Sequence, residues 1–542
     1  MFKKFLPLIL ILILAAALRL VLLDRFPVGM NADEAALGYN AYSLLLTGKD
    51  EHGHFLPVNL ESFGDYKPAL YTYLLVPAVK FFGLTDMVVR LPSALFGLLA
   101  VAVIYFFSLQ LTSNRTLALL SALFLAVSPW HLHFSRGAWE VNVATALILV
   151  GMTAFLRWLN RPRPVYLFTL LLTFALSMYT YQSARIIAPL LGLGLVALFF
   201  SVFFSRLKQS LTGFVLLLLL LLPLVLSLVF SDAASRVGGV GLLADEGPVN
   251  FVRELRGQHS AATLFIGKLL HNRPVIYSLQ FVKNYLSHFD GNFLFVNGDV
   301  IQRNLVPETG LLYLTDLVLL FFGLIYFTRP GQSPRRRIVW LWVLVAPVAS
   351  ALTFQVPHAL RAQNLIIPLS VIAAAGICRL YQLSAKRVWV YGLTAVLVLT
   401  YSWQFTRYLH QYYVHYPQTY PAAWESGFDR LVAYVKANQA RYQHILVTDK
   451  YDQPYILFLY YLQYPPAEFQ GQHQLTVRDK YNFSTVTEFS KYRFTSTAWE
   501  QVRDQHDSLL VTAPDDLPSV GVNIVNTIYF PNGQPAFRIV SN

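Results

Sequence analysis

Cysteine is almost missing from this chain. Cys378 is the only one in 542 residues, so no intrachain disulfide and no cysteine-built metal site can form. Charge is scarce too. Asp, Glu, Lys and Arg make up 13% of the residues and hydrophobic types 55%, whereas an ordinary soluble domain carries roughly 25% charged residues. A soluble globular protein is thereby excluded, and the chain reads as an integral membrane protein. No internal repeat is visible, and the tail has no Gly-rich nucleotide-binding loop. The net charge of +13 does not imply nucleic acid: from Phe405 onward there are 11 basic and 12 acidic residues, so the whole surplus lies in the apolar part. There it sets topology through the positive-inside rule.

A membrane span needs about 17–25 apolar residues. Such runs occur near 5–23, 88–110, 116–134, 140–158, 164–181, 184–204, 210–230, 311–328, 338–355, 363–383 and 387–404, which predicts about eleven transmembrane helices. Ala15-Ala16-Ala17 resembles a signal cleavage site. The first apolar run nevertheless continues to Leu23, longer than the usual signal core of about 7–15 residues, and reads as an uncleaved span. The short basic connections fall on one side: Lys3/Lys4, Arg115, Arg157/Arg161/Arg163, Arg206/Lys208, Arg329/Arg335/Arg336/Arg337 and Lys386/Arg387. With that side cytoplasmic, segments 24–87, 135–139, 231–310, 356–362 and the tail are external. The expected organisation is a multi-pass α-helical membrane domain over 1–404, with external loops 24–87 and 231–310, and an extracytoplasmic α/β domain over 405–542. The N-terminus is expected in the cytoplasm and the protein in the plasma (inner) membrane.

In the first loop, Asn31 can cap a helix with Glu34 completing a capping box, and Thr47-Gly48 would end it. Pro68–Pro77 is apolar and aromatic but too short to span, which fits an interfacial helix. The second loop carries the Gly-rich piece Gly238-Gly239-Val240-Gly241 and then aromatic, His-bearing sequence from Tyr285 to Asn297. In the tail, Trp424, Phe428, Leu431, Val432 and Val435 follow helical spacing. Segments 444–448, 508–512 and 522–530 read as strands, and Asn532-Gly533 is a hairpin turn signal.

Ionised residues beside the bilayer mark chemistry more often than packing. Asp33 and Glu34 come directly after the first span; they read as a general base at the membrane surface, or as acids favoured by the dipole of a helix start. Asp65-Tyr66-Lys67-Pro68 adds another carboxylate and a cation suited to phosphate, or else a solvated turn. Arg90 lies in Val89-Arg90-Leu91-Pro92-Ser93, and Arg136 and Glu140 are spaced to pair at i,i+4 on a helix. Tyr181 lies in the turn Tyr179–Arg185, whose plain reading is an aromatic belt. Arg303, His358 and Arg361 lie in further external segments. These cations share the external rim, where the positive-inside rule does not favour them, and an anionic lipid phosphate is the natural partner of guanidinium groups.

The Asp33-Glu34 pair, the Lys67-Pro68 segment, the Arg90-Leu91-Pro92-Ser93 span and the Ser135-Arg136…Glu140 turn together resemble the GT-C membrane glycosyltransferases. Among these the chain resembles bacterial members of the protein O-mannosyltransferase and lipid A aminoarabinose transferase group (glycosyltransferase 39/83-type). The resemblance covers the membrane half and implies a GT-C-like fold and a polyprenyl-phosphate sugar donor. It assigns the catalytic pair to Asp33 and Glu34, with Asp33 as the base. Donor and phosphate binding fall to Lys67, Arg90, Arg136, Glu140, Tyr181, Arg303, His358 and Arg361. Relatives often carry a metal ligand directly before the lysine; here Tyr66 stands there. If a divalent metal ion is used, Asp65 and His288 are the candidate ligands.

The expected function is an inverting glycosyltransferase moving a sugar from a polyprenyl phosphate to an acceptor hydroxyl of a protein, lipid or glycan at the outer membrane face. The alternative is a transporter or flippase of a lipid-linked saccharide, which would favour repeats and polar residues at the bilayer midplane. A receptor or assembly protein binding through its tail is a third reading.

Overall fold

The structure, a computed structural model, describes residues 2–230, 241–245, 247–260, 263–329, 333–383, 386–478, 484–504, 507–518 and 521–541. Two compact units emerge. One comprises Met1–Ala15, Leu98–His133 and Ala144–Thr406, the other Ala16–Gly97, Phe134–Val143 and Arg407–Asn542.

The first unit is helical. Every apolar run read from the sequence forms helix, and among the described residues five helices are long and apolar enough to cross a membrane: Asp86–Thr112, Glu140–Asn160, Leu207–Phe230, Gln363–Leu383 and Arg387–Thr419. Six shorter apolar helices of 10–17 residues accompany them. Leu207–Phe230 is apolar on all sides yet mostly exposed, as expected of a helix whose solvent is lipid. Glu140–Asn160 is instead largely buried. Helices Leu314–Thr328 and Ile366–Leu383 pack with their backbones in close approach: a Cβ at Gly323 would lie 1.9 Å from the Ile372 carbonyl oxygen, and one at Gly376 would lie 1.9 Å from that of Leu319. Small residues permit such contacts where no hydrophobic effect drives helices together.

Some runs break. The 116–134 run is two helices, Arg115–Val127 and Pro129–Phe134, because Ser128 precedes a proline and adopts an extended ψ of 128°. The 338–355 run divides into Arg337–Val345 and Val348–Ala351. The Gly238-Gly239-Val240 part of the second loop lies outside the described residues. The remainder of that loop contains three helices unanticipated from the sequence, Gly247–Gly257, Leu264–Leu270 and Arg273–Ser287.

The second unit holds the first loop and the tail. Helix Ala32–Thr47 starts as expected, the Asn31 side chain accepting from the Glu34 amide at 3.1 Å, and it ends at Gly48 in the left-handed region. Strands β1 (Asn59–Ser62) and β2 (Asp65–Pro68) then form an antiparallel hairpin pairing Ser62 with Asp65 and Leu60 with Lys67. The two turn residues Phe63 and Gly64 both have positive φ, as the right-handed strand twist requires. Helix Leu70–Phe82 comes next.

The tail forms a seven-stranded sheet from β3 (His444–Thr448), β4 (Gln474–Leu475), β5 (Val486–Phe489), β6 (Tyr492–Thr495), β7 (Ser508–Thr512), β8 (Ile524–Tyr529) and β9 (Pro535–Ser541), in the order β4-β5-β6-β3-β7-β9-β8. The apolar strand β3 is central and parallel to both neighbours, consistent with burial on both faces. The β8–β9 hairpin turns at Asn532-Gly533, with Gly533 at φ 80°. Helix Phe428–Asn438 buries Phe428, Leu431, Val432 and Val435. The tail does not stand apart as its own unit. Its helices Pro454–Leu462 and Pro466–Gln472 pack on Ala32–Thr47, and the Ser484 amide donates to the Phe63 carbonyl at 3.0 Å.

Candidate functional site

Two polar clusters emerge, one in each unit. In the second unit, the acids at the start of Ala32–Thr47 part company. Successive helical residues point about 100° apart, so Asp33 and Glu34 meet different surroundings. The Glu34 side chain is 1% exposed. Its carboxylate accepts two bonds from Arg90, Nε to Oε1 at 3.1 Å and Nη2 to Oε2 at 3.0 Å, and one from the Ala138 amide at 2.7 Å. The capping box expected of Glu34 is therefore not closed: Asn31 caps, but the Glu34 carboxylate is spent on Arg90.

Asp33 is 44% exposed and its Oδ1 accepts from Lys67 Nζ at 2.5 Å, while the Lys67 side chain is only 9% exposed. The hairpin fixes that lysine, whose ammonium also lies 4.8 Å from the centre of the Phe63 ring. Burial alone would lower the pKa of Lys67. Asp33 first, then Glu140, the hydrogen bond to Asp33, and Asp65 more than offset this and raise it above the usual lysine value. Lys67 thus stays an ammonium, with Asp33, Glu140 and Asp65 all acting on it.

Arg90 and Arg136 require a correction. Both are buried, and neither guanidinium is open to a lipid phosphate. Besides Glu34, Arg90 donates to the carbonyls of Leu23 at 3.1 Å, Pro27 at 3.0 Å and Gly29. Arg136 donates to the carbonyls of Leu18, Val21, Leu22 and Phe26 at 2.6–3.2 Å, and to the Tyr412 hydroxyl at 3.3 Å. A helix end leaves carbonyls without intrahelical partners, and Arg136 takes up those closing the first helix. The two arginines together fix the chain from Leu18 to Gly29, which delivers Asn31 and Asp33. Arg136 and Glu140 do not share a helical face, because Glu140 begins its helix after a non-helical turn at 135–139.

In the first unit, the cation-bearing loops around Arg303 and His358 are tied together. Arg303 lies in the short turn Gln302–Asn304. His358 comes directly after Pro357, its Nδ1 lies 3.6 Å from Asp299 Oδ2, and Arg361 Nη1 donates to Thr353 Oγ1 at 2.7 Å. Asp299, a residue the sequence did not single out, also accepts from the Ile301 amide at 3.0 Å, the Asn304 amide group at 3.1 Å and the Ala359 amide at 2.7 Å. Burial raises its pKa, against those hydrogen bonds. No motif marks Asp299; its only sequence signal is an acid after Asn297-Gly298. Tyr181 is buried in the turn before helix Ala184–Leu198.

The two candidate metal ligands lie one in each unit. Asp65 Oδ1 accepts from the Tyr66 amide at 2.8 Å. His288 is a buried histidine whose Nδ1 bonds the Asn284 carbonyl at 2.8 Å and whose Nε2 bonds Ser350 Oγ at 2.7 Å. Burial lowers its pKa to about 4. Among the described residues no group of three His, Cys, Asp or Glu is placed to hold an ion, and no step is derived through a metal.

Residues 66–229 match the family model of dolichyl-phosphate-mannose-protein mannosyltransferases. No curated protein matches the chain. Two crystal structures of ArnT from Cupriavidus metallidurans, one apo and one bound to undecaprenyl phosphate, each superpose with a TM-score of 0.56 at 12% identity, covering 98% of this chain and 97% of theirs. The archaeal oligosaccharyltransferase AglB from Archaeoglobus fulgidus, in complex with an inhibitory peptide and a dolichol-phosphate, is more distant, with a TM-score of 0.48 at 13% identity over 85% of this chain and 64% of that one. At these identities the structural likeness speaks for fold, and the matched segment contains Lys67, Arg90, Arg136, Glu140 and Tyr181. The chain thus shares the fold of the ArnT structures, and residues 66–229 carry the likeness to the dolichyl-phosphate-mannose-protein mannosyltransferases that the sequence motifs suggested.

Proposed function

We propose that this protein is an inverting glycosyltransferase of the plasma (inner) membrane, with about eleven transmembrane helices, a cytoplasmic N-terminus and an external tail. It would take a sugar from a polyprenyl phosphate and pass it to a hydroxyl of a protein, lipid or glycan. The observation that carries this reading is the Asp33–Lys67 pair at 2.5 Å, a half-exposed carboxylate against a buried ammonium, on a helix start held by Arg90. An acceptor hydroxyl is a weak nucleophile, and Asp33 takes its proton as the oxygen attacks the anomeric carbon. The new C–O bond forms as the bond to the phosphate oxygen breaks, and its electron pair leaves on the lipid phosphate. That group departs as an anion and needs cations rather than a proton. Lys67, beside Asp33, is assigned this role in the second unit, and Arg303, Arg361 and the His358 imidazole are assigned lipid-phosphate binding in the first, whereas Glu34, Arg90 and Arg136 position the chain that carries Asp33.

The test is release of polyprenyl phosphate from a panel of synthetic undecaprenyl-phosphate sugars by the purified protein in nanodiscs. Asp33→Asn is expected to lower kcat by about 10²–10⁴-fold, the usual range for a general base, with donor affinity retained. Wild-type kcat in Asp33→Asn would refute the base assignment. Movement of donor across vesicles without sugar transfer would favour the flippase.

A further inference from the structure

The cation-bearing residues of the first unit lie on two segments more than 50 positions apart in the chain. Neither segment has a long regular element of its own: Arg303 is in a three-residue turn, and His358 and Arg361 are in the connection before helix Ile366–Leu383. Short polar segments of this kind carry little local stability. Yet an anion site made from both needs their spacing fixed to within a fraction of an ångström.

One side chain provides that spacing. Asp299 Oδ1 accepts from Ile301 N, and Oδ2 accepts from both Asn304 Nδ2 and Ala359 N while lying 3.6 Å from His358 Nδ1. A single buried carboxylate thus holds the Ile301 amide and the Asn304 side chain, on either side of Arg303, and the backbone directly after His358. The short helix Pro129–Phe134 braces the same two segments from behind. Trp130 Nε1 donates to the Ala359 carbonyl at 3.0 Å, and His133 Nε2 bonds the Arg303 carbonyl at 2.7 Å. Two independent elements therefore converge on one pair of loops. Bonds to an ionised acceptor are stronger than neutral ones, which makes Asp299 the principal tie and the helix the secondary one.

We infer that Asp299 is a positioning residue for a lipid-phosphate pocket formed by Arg303, His358 and Arg361, and that it sets donor affinity rather than the chemical step. The inference rests on the proposed transferase reading only in naming the phosphate as that of a polyprenyl chain. Asp299 touches no substrate in this scheme. Its removal lets the two loops separate, so the cations no longer meet one phosphate.

The test uses full-length protein in nanodiscs and two readouts: direct binding of undecaprenyl phosphate without any sugar, and donor KM and kcat in transfer. Asp299→Asn is expected to weaken undecaprenyl phosphate binding and raise donor KM about tenfold or more, with kcat within about threefold of wild type. Trp130→Phe, which removes only the brace to Ala359, is expected to shift KM in the same direction by less. Asp33→Asn supplies the opposite pattern, with kcat lost and binding retained. A kcat loss in Asp299→Asn with KM unchanged would overturn the inference, as would unchanged undecaprenyl phosphate affinity in folded Asp299→Asn and Trp130→Phe. Absence of transfer by the wild type, with binding still dependent on Asp299, would instead overturn the transferase reading and leave the clasp standing.

Discussion

Adjacent acids in one helical turn have opposite physical fates here. Glu34 is buried against Arg90 and an amide, whereas Asp33 is half exposed on Lys67. Truncating one member of a buried, hydrogen-bonded ion pair leaves an uncompensated charge and costs about 3–5 kcal/mol. In Glu34→Ala the Arg90 guanidinium keeps only carbonyl partners, and the loss is expected in that range, read as thermal unfolding in detergent. Asp33→Asn retains an acceptor for Lys67, which Glu140 and Asp65 also stabilise, so its stability cost is expected near 1 kcal/mol, the upper end for exposed pairs. The two neighbours should therefore separate stability from turnover: Glu34→Ala unfolds early, and Asp33→Asn folds but is slow. Equal destabilisation by both would show that Asp33 is a structural acid like its neighbour. The sequence displays the pair but not the division, because the direction of each carboxylate depends on Arg90 and Lys67, which lie 56 and 34 positions away.

Elements with local signals were legible. Asn31 and Gly48 bracket their helix, Asn532-Gly533 turns its hairpin, and each apolar run is helical. Features set by distant partners were not. Arg90 and Arg136 read as phosphate ligands because their external position needed a partner; besides Glu34 for Arg90 and the Tyr412 hydroxyl for Arg136, the partners are backbone carbonyls, which carry no sequence signature. The segment after helix Ala32–Thr47 shows how such contacts govern behaviour. Asp50 accepts from the amides of His52 and His54, and the buried Glu51 lies 3.3 Å from His52 Nε2. His52 Nδ1 in turn faces His473 Nε2 of the tail at 3.2 Å, and His473 Nδ1 bonds the Phe469 carbonyl. A consistent proton arrangement has charged His52 donating to both Glu51 and neutral His473. Burial opposes the charge on His52, but Glu51 first, then Glu61 and Asp50, raise its pKa, while burial lowers that of His473. A raised histidine binds its proton more tightly in the folded state. Its contribution is complete below the unfolded value of about 6.5 and is lost as pH rises through the higher folded value. His473, lowered, contributes in the opposite sense and loses its share as pH falls. Thermal unfolding measured from pH 6 to 9 should thus show a stability decline above neutrality that His52→Gln flattens. An identical slope in that variant would remove the charged-histidine assignment.

At the scale of the whole chain, the apolar half and the mixed tail look separable from composition, and the contacts contradict that appearance. Helix Pro454–Leu462 is buried from Pro454 through Tyr460, and one of its walls is the first-loop helix Ala32–Thr47. Polar bonds run along the same seam. Tyr39 donates to the Tyr464 carbonyl at 3.0 Å, Gln470 to the Asp50 carbonyl at 2.8 Å, and Tyr460 to Asp86 at 3.1 Å. A Cβ at Gly29, where φ is +83°, would lie 2.3 Å from the Trp424 carbonyl oxygen, so the tail backbone also abuts the segment leading to Asp33. An all-apolar helix needs cover on every side. Freed from the loop, the tail would expose Tyr455, Ile456 and neighbours, each worth about 1.5–3 kcal/mol when buried, a large share of the roughly 5–15 kcal/mol that stabilises a typical domain. Residues 405–542 expressed alone are therefore expected to aggregate or to give poorly dispersed amide NMR spectra. A chain ending at Gln404 is expected to lose transfer activity, because the helix start bearing Asp33 has lost one of its supports. Co-expression of the two pieces should restore some activity if the seam re-forms. A tail fragment with well-dispersed spectra and a cooperative melt, together with a fully active 1–404 piece, would show instead that the tail is an independent module and that the contacts along Ala32–Thr47 contribute little.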